Sequence, residues 1–461
     1  MEGSVADYLA RARERHVDEL SELLRIPSVS TAPEHAPHME AAAEWLLAHL
    51  EHIGLEHVGP LATGGNPIVY GDWLHATGAP TVLVYGHYDV QPAAPDELWE
   101  SPPFEPQVRD GRLYARGVTD NKGQIFAALA AVEALLAVDG ALSCNVRVLI
   151  EGEEELNADN LTAFLRANVG SDPLQADLAL ITDCGMYDER TPGVTTALRG
   201  MAAMQFTLRT AASDLPSGVY GGVAPNAVIA LAQLLATLRD PRTGRILVDG
   251  FYDEVLPIPE AERKAWTNLP HDEEQLAREL GVLHLAGEPG YTALERMWGR
   301  PTLDVTGAWG GHTGEGLKTI IPAEAHATVS CRLVPDQDAV RVLDLIERHL
   351  GAHTTAGATL TIDWRLPGCW PVVVSTDHPA VGAALAAVEE GFGRSAAVYR
   401  AGYSVPIVEL FQRIVGLDSV LLGFTVPDEN MHAPNEFIRL AVFACAVRTY
   451  AAFLANLAHG R

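Results

Sequence analysis

Unbroken apolar runs that end in ionisable side chains recur along this chain. Val82–Tyr85 leads to His87 and Asp89, Val146–Ile150 leads to Glu154 and Glu155, and Ala179–Thr182 leads to Asp183. Leu421–Phe424 leads, after a short loop, to His432. Strands of an open parallel sheet are buried on both faces and therefore read as continuous apolar segments. Ligands of such sheets bind in the crevice beyond the carboxyl ends of the strands. Strand exits bearing His, Asp and Glu thus predict one shared site.

Between these runs the period lengthens to that of helices. Asp7–Arg25 places Leu9, Leu20, Leu23 and Leu24 on one face and is followed by the turn Ile26-Pro-Ser-Val-Ser. His38–Ile53 and Gln124–Val138 predict further helices, and strands alternate with helices to about Thr196. Ala203–Arg209 then alternates as a half-exposed strand does, and Asn226–Leu238 reads as a helix. Ala325–Val334, Ala339–Leu350 and Thr359–Arg365 predict strand, helix and strand. After Trp370-Pro371 the first pattern returns, with a helix over Pro379–Gly391 and strands near Val405–Glu409 and Val420–Leu422. A closing helix is expected from Pro434 to about Ala458. The predicted architecture is a mainly parallel α/β catalytic domain in two segments, 1–197 and 375–461, with a smaller α+β domain, 198–374, inserted between them.

Composition narrows the partners. The 461 residues are 48% hydrophobic, and 32 basic against 60 acidic residues give a net charge of −28. Such a balance argues against nucleic acid and against an anionic membrane surface. Met1-Glu-Gly-Ser-Val-Ala-Asp lacks the basic-then-apolar layout of a signal peptide, and no apolar stretch approaches the ~20 residues that span a bilayer. The cysteines (Cys144, Cys184, Cys331, Cys369, Cys445) are scattered without CxxC spacing. They predict reduced core thiols in a cytoplasmic protein.

Period two puts His87 and Asp89 on the same side of an extended segment. Asp120, closing Tyr114-Ala-Arg-Gly-Val-Thr at a helix start, reads either as a cap or as a ligand. Glu153-Glu154-Glu155 is either a solvated acidic loop or a run whose like-charge crowding a cation relieves. With histidines at the same strand exits, the pattern points to metal. His87 and His432 with Asp120, Glu155 and Asp183 satisfy two divalent ions if one carboxylate bridges, and a hydroxide brings the charge close to balance. Imidazole with carboxylate suits zinc, with cobalt or manganese as alternatives. Ions so paired, typically ~3.5–4 Å apart, polarise a carbonyl and acidify water.

The segments GHYDVQP, LYARGVTDNKGQ, EGEEE, DLPSGVYGG, KTIIPAEAHATVSCRLVP and PDENMHAPNE resemble, in order, the metallopeptidase family of carnosine dipeptidase, carboxypeptidase G, aminoacylase and succinyl-diaminopimelate desuccinylase. The similarity runs from about residue 20 to the end and leans to the dipeptidase branch. It implies a zinc-exopeptidase catalytic domain with an inserted ferredoxin-like lid that also dimerises. It further implies His87 and Asp183 on one zinc, Glu155 and His432 on the other, and Asp120 between them. Asp89 would orient His87, and Glu154 would be the general base. Arg332 in SCRLVP is the expected clamp for a substrate carboxylate, since a guanidinium matches it bidentately. Lys318, Asn226, His312 and Ser404 are further substrate-binding candidates. A homodimer is expected through the inserted domain, with Ala203–Arg209 as an edge strand pairing across the two-fold axis.

The family pattern breaks in the substrate loops. DLHSG, whose histidine stabilises the oxyanion across the dimer, is here Asp214-Leu-Pro216-Ser-Gly, and proline brings no donor. REGGSIP is here Arg400-Ala-Gly-Tyr403-Ser-Val-Pro406, with tyrosine for a glycine. The expected activity is hydrolysis of dipeptides or similar small amides with a free carboxylate. Alternatives are an amidohydrolase of N-acyl or N-carbamoyl amino acids, and a metal-binding protein of weak or lost activity because of Pro216.

Overall fold

A computed structural model describes residues 4–156 and 159–457. The chain divides into two compact units, one of 1–196, 374–399 and 407–461, the other of 197–373 and 400–406. The short segment 400–406 therefore groups with the insert, whereas the sequence pattern predicts it within the closing segment 375–461.

The first unit is a mixed α/β layer on an eight-stranded sheet. Its strands, in spatial order, are Glu56–Leu61, Ile68–Trp73, Asn145–Glu151, Thr81–His87, Leu178–Ile181, Ser419–Leu421, Gly193–Thr195 and Ala397–Tyr399. Asn145–Glu151, Thr81–His87, Leu178–Ile181 and Ser419–Leu421 run parallel to one another at its centre. Nearly every residue of these strands is buried, which is why they read as apolar runs. Helix Val5–Leu24 starts at a capping box of Ser4 with Asp7 and buries Leu9, Leu20, Leu23 and Leu24. Helix Lys122–Asp139 is buried all round from Lys122 to Leu135 and stops at Gly140, whose φ of 68° is the left-handed cap glycine tolerates.

The second unit is a four-stranded antiparallel sheet in the order Thr302–Gly310, Glu324–Leu333, Gly200–Arg209, Thr359–Cys369. Helices Ala227–Ala236 and Ala339–His353 bury their apolar sides in one core with alternate residues of these strands, among them Met204, Phe206, Ala327 and Val329.

Three expectations are corrected. Gly200–Arg209 is a central strand, paired on both sides, so the edges are Thr302–Gly310 and Thr359–Cys369. Alternation reports a half-exposed face and carries no signal for an edge. The run near Val405–Glu409 is a helix over Pro406–Leu410. A short buried apolar run hides its period, and Pro406 at the first helical position was the available clue. The closing helix begins at Leu440, because Phe437–Arg439 is a strand paired with Arg112–Tyr114. Its expected end at Ala458 lies outside the described residues. Among the described residues no helix is long and apolar enough to cross a membrane.

Gly423 lets the segment after Ser419–Leu421 approach the one after Leu178–Ile181. A Cβ there would stand 2.1 Å from the backbone oxygen of Cys184, next to Asp183. Gly423→Ala should therefore destabilise the protein by about 1–3 kcal/mol in denaturant titration. Gly382→Ala, inside helix Pro379–Phe392 with nothing within 4 Å, should stabilise it by about 0.5–1 kcal/mol. Equal effects of the two substitutions would refute this account of Gly423.

Candidate metal centre

The parallel strands end side by side, and their exits supply the site. His87 closes its strand opposite Glu151 in the neighbouring one, which places the run after Glu151 beside His87. Asp183 follows the adjacent strand Leu178–Ile181, paired with Val82–Tyr85. Gly86 permits the close approach of Asn121, whose Oδ1 would lie 2.6 Å from a Cβ there. The Asn121 oxygen instead accepts from the His87 backbone N–H at 3.2 Å.

His87, Asp120 and Asp183 form one group of converging ligand atoms, and Asp120, Glu155 and His432 form a second. Asp120 belongs to both. His87 Nε2 lies 3.1 Å from Asp120 Oδ1 and 3.9 Å from Asp183 Oδ2. His432 Nε2 lies 2.7 Å from Asp120 Oδ2 and 3.3 Å from Glu155 Oε1. Asp120 is not a cap. Asn121 occupies that position of helix Lys122–Asp139, without a side-chain bond.

The donor set fits divalent metal. His87 Nδ1 faces the Asp89 backbone oxygen at 3.0 Å and its Oδ1 at 3.3 Å, so it is the donor nitrogen and Nε2 is left for a ligand role. Glu155 Oε2 accepts from Gln91 at 2.7 Å, whereas its buried Oε1 takes no well-formed hydrogen bond. Burial, followed by the Asp120 charge, pushes Asp183 up to about 7. Burial likewise pushes Glu154 well above the carboxylate range, with the charges of Asp183, Glu155 and Asp120 adding to it against His87. The neighbouring Asp120 and Glu155 carboxylates raise His432 to about 10. Burial would lower His87, yet its bonds to Asp120 and Asp89 hold it well above the usual imidazole value. So many acids in one buried place call for cations, and divalent metal would supply them.

Residues that sequence reasoning missed hold this geometry. Glu436, fully buried, accepts from the backbone N–H groups of Gly117 and Thr119 at 2.9 Å and pairs with buried Arg116 at 2.7 Å. It thereby shapes the turn into Asp120. Glu429, also fully buried, accepts from Thr119 Oγ1 and Val426 N at 2.9 Å and shapes the loop that carries His432. His432 itself sits in left-handed backbone at φ 60°. Both acids stand inside PDENMHAPNE, but a buried acid and a solvated one look alike in sequence.

The second unit brings together some of the remaining candidates. Arg332 Nη1 donates to Ser404 Oγ at 2.8 Å, and Ser404 Oγ donates to the Arg199 backbone oxygen at 2.5 Å. Arg199, not anticipated, donates through Nε to Gly402 O at 2.7 Å, while its buried Nη1 has no hydrogen-bond partner among the described residues. Burial and then the Arg332 charge depress Arg199 to about 10, so it stays cationic at neutral pH. Among the described residues neither guanidinium has a carboxylate within 4.0 Å. Asn226 caps helix Ala227–Ala236 with its Oδ1. Lys318 and His312 lie in an exposed loop, where His312 Nε2 approaches Glu315 O at 3.3 Å. Pro216 is exposed and pairs with Ile320.

Residues 83–456 match the family described as Peptidase family M20/M25/M40. The Cys-Gly metallodipeptidase dug1 of Schizosaccharomyces pombe is 28% identical over 466 residues, which cover 98% of this chain and 97% of that protein. The cysteinylglycine-S-conjugate dipeptidase of Corynebacterium striatum is 30% identical over 433 residues, 92% of each chain. Among solved structures, the di-peptidase Dug1p of Saccharomyces cerevisiae superposes with a TM-score of 0.83 at 25% identity, covering 99% of this chain and 98% of that one. The family match takes in every residue of both ligand groups, and the chain belongs to peptidase family M20/M25/M40.

Proposed function

We propose that this peptidase is a di-zinc exopeptidase that hydrolyses dipeptides, or small amides like them, bearing a free carboxylate. The observation that carries the reading is the pair of ligand groups sharing Asp120. His87 and Asp183 would hold one ion, Glu155 and His432 the other, and Asp120 would bridge. Imidazole and carboxylate donors favour zinc, with cobalt and manganese as substitutes. The relatives named as dipeptidases support the substrate class. So does the pair of guanidiniums, Arg332 and Arg199, which offers a substrate carboxylate two cationic partners.

Divalent ions held by these residues would supply Lewis acidity for the scissile carbonyl and for a water. Glu154, adjacent in sequence to the ligand Glu155, would take a proton from the attacking water and deliver it to the leaving nitrogen. Asp89 keeps His87 in the tautomer that leaves Nε2 free. Arg332 and Ser404 would fix the substrate carboxylate, with Lys318, Asn226 and His312 as further contacts from the same unit. Pro216 supports a second reading, of weak turnover, because a missing oxyanion donor costs on the order of 10²–10³ in rate.

Edge strand Thr302–Gly310 or Thr359–Cys369 supports a homodimer through the insert, since these two end the four-stranded sheet among the described residues. Light scattering should then give twice the 49.5 kDa of one chain, and a monomer at micromolar concentration with full activity would refute it. We also infer a cytoplasmic location, because the cysteines are scattered along the chain without CxxC spacing.

The decisive assay compares zinc-loaded protein on dipeptides, on the same dipeptides amidated at the C-terminus, and on N-acyl amino acids. Free dipeptides should be cleaved, amides at least about tenfold more slowly, and a chelator should abolish both. Glu154→Gln should lose about 10²–10⁴ in kcat with metal content unchanged, while Glu155→Gln should lower metal content. Cleavage of N-acyl amino acids alone would favour the amidohydrolase reading. Hydrolysis of nothing by fully loaded protein would favour weak turnover.

A further inference from the structure

The turn Ile26–Ser30 packs against the metal centre without contributing a ligand. Ser28 Oγ, fully buried, donates to Tyr88 O at 2.6 Å, and Val90 N donates to Ser28 O at 2.9 Å. These bonds clasp the main chain on both sides of Asp89. Lys122, also fully buried, extends Nζ to Ile26 O at 2.7 Å and to Leu23 O at 3.1 Å. Lys122 follows Asp120 by two positions, so one short turn is fastened to two ligand-bearing segments. Ser30 adds a contact to a side chain. Its Oγ donates to Asp89 Oδ2 at 2.7 Å.

Asp89 is more than a partner of His87. Its Oδ1 faces His87 Nδ1 at 3.3 Å and accepts from the Glu154 backbone N–H at 3.3 Å. Its Oδ2 accepts from the Glu155 backbone N–H at 3.0 Å as well as from Ser30. One fully buried carboxylate therefore orients the imidazole of one ligand group and the backbone of the loop that supplies the other. A carboxylate turns about its Cβ–Cγ bond unless its oxygens are held. Without Ser30, Oδ2 keeps only the Glu155 bond, and the hold of Oδ1 on the imidazole loosens.

We propose that Ser30 is a positioning residue for the metal centre, acting through Asp89 on both ligand groups, and that the turn Ile26–Ser30 is the brace that sets their spacing. The proposal rests on the metal-site reading above, and its test uses metal affinity, so it is independent of any substrate.

Zinc affinity of the full chain, stripped and refilled in competition with a chromophoric chelator, tests it. Ser30→Ala should weaken binding at both sites by about tenfold, as loss of an outer partner of a ligand does. Ser30→Thr, which keeps the hydroxyl, should restore at least half of that loss on a logarithmic scale. In an Asp89→Asn background the same Ser30→Ala change should have less than a twofold effect, because its route is gone. Melting of the metal-free proteins should agree within about two degrees, which separates positioning from loss of fold. Parental affinity in Ser30→Ala, or an equal loss with and without Asp89, would overturn the proposal. A parent chain that binds no zinc would overturn the metal centre and the brace together.

Discussion

The rest of the structure turns on the Asp120 carboxylate, whose two oxygens face two different imidazoles, His87 at 3.1 Å and His432 at 2.7 Å. These residues come from segments that lie far apart in sequence, one closing a central strand and the other in a loop after the last strand of the parallel set. Burial alone would raise the carboxyl, yet the two imidazoles hold it well below the ordinary range. Asp183, with the weaker contact at 3.9 Å, is pushed up to about 7 in the same surroundings. Charge balance is thus local and unequal, and two divalent ions sharing Asp120 would even it out. Acids and imidazoles in this order are costly as a structural motif and ordinary as a coordination sphere.

Keeping that arrangement depends on acids that never touch a ligand atom. Glu436 and Glu429 are both fully buried, and burial pushes each upward despite the backbone N–H groups and arginines that oppose it. Glu436 holds the turn into Asp120, and Glu429 holds the loop in which His432 occupies left-handed backbone. Asp89 does the same for the Glu154–Glu155 run. A parallel sheet brings the strand ends together, and buried carboxylates then fix the loops beyond them. Precision at the site comes from this second step, because loops alone are the least constrained part of an α/β fold.

Much of this was legible in the sequence, for physical reasons. Strands buried on both faces lose their alternation, so Thr81–His87 and Asn145–Glu151 announced themselves as apolar runs, and the ionisable residues after them marked the site. Four of the five residues of the two ligand groups stood at those exits, and the fifth, Asp120, stood at the start of a helix. What stayed hidden depends on contacts between distant segments. Nothing in Glu429 or Glu436 marks them as buried, nothing in Arg199 marks it as a neighbour of Arg332, and Ala203–Arg209 alternates alike whether central or at an edge. Pro406–Leu410 showed only an apolar run too short to reveal a period, and Phe437–Arg439 sits as three strand residues ahead of a long helix. The substrate side was less legible still, because Asn226 turned out to cap a helix and the substrate loops depart from the family pattern.

The account stands or falls on Asp120 serving two ions at once. Zinc titration of metal-stripped protein, followed by elemental analysis of the parent and of Asp120→Ala, tests this directly. A shared carboxylate requires close to two zinc ions per parent chain and the loss of both in the variant, since neither ligand group is complete without it. A parent that saturates at one ion, or an Asp120→Ala protein that retains one at parental affinity, would contradict it.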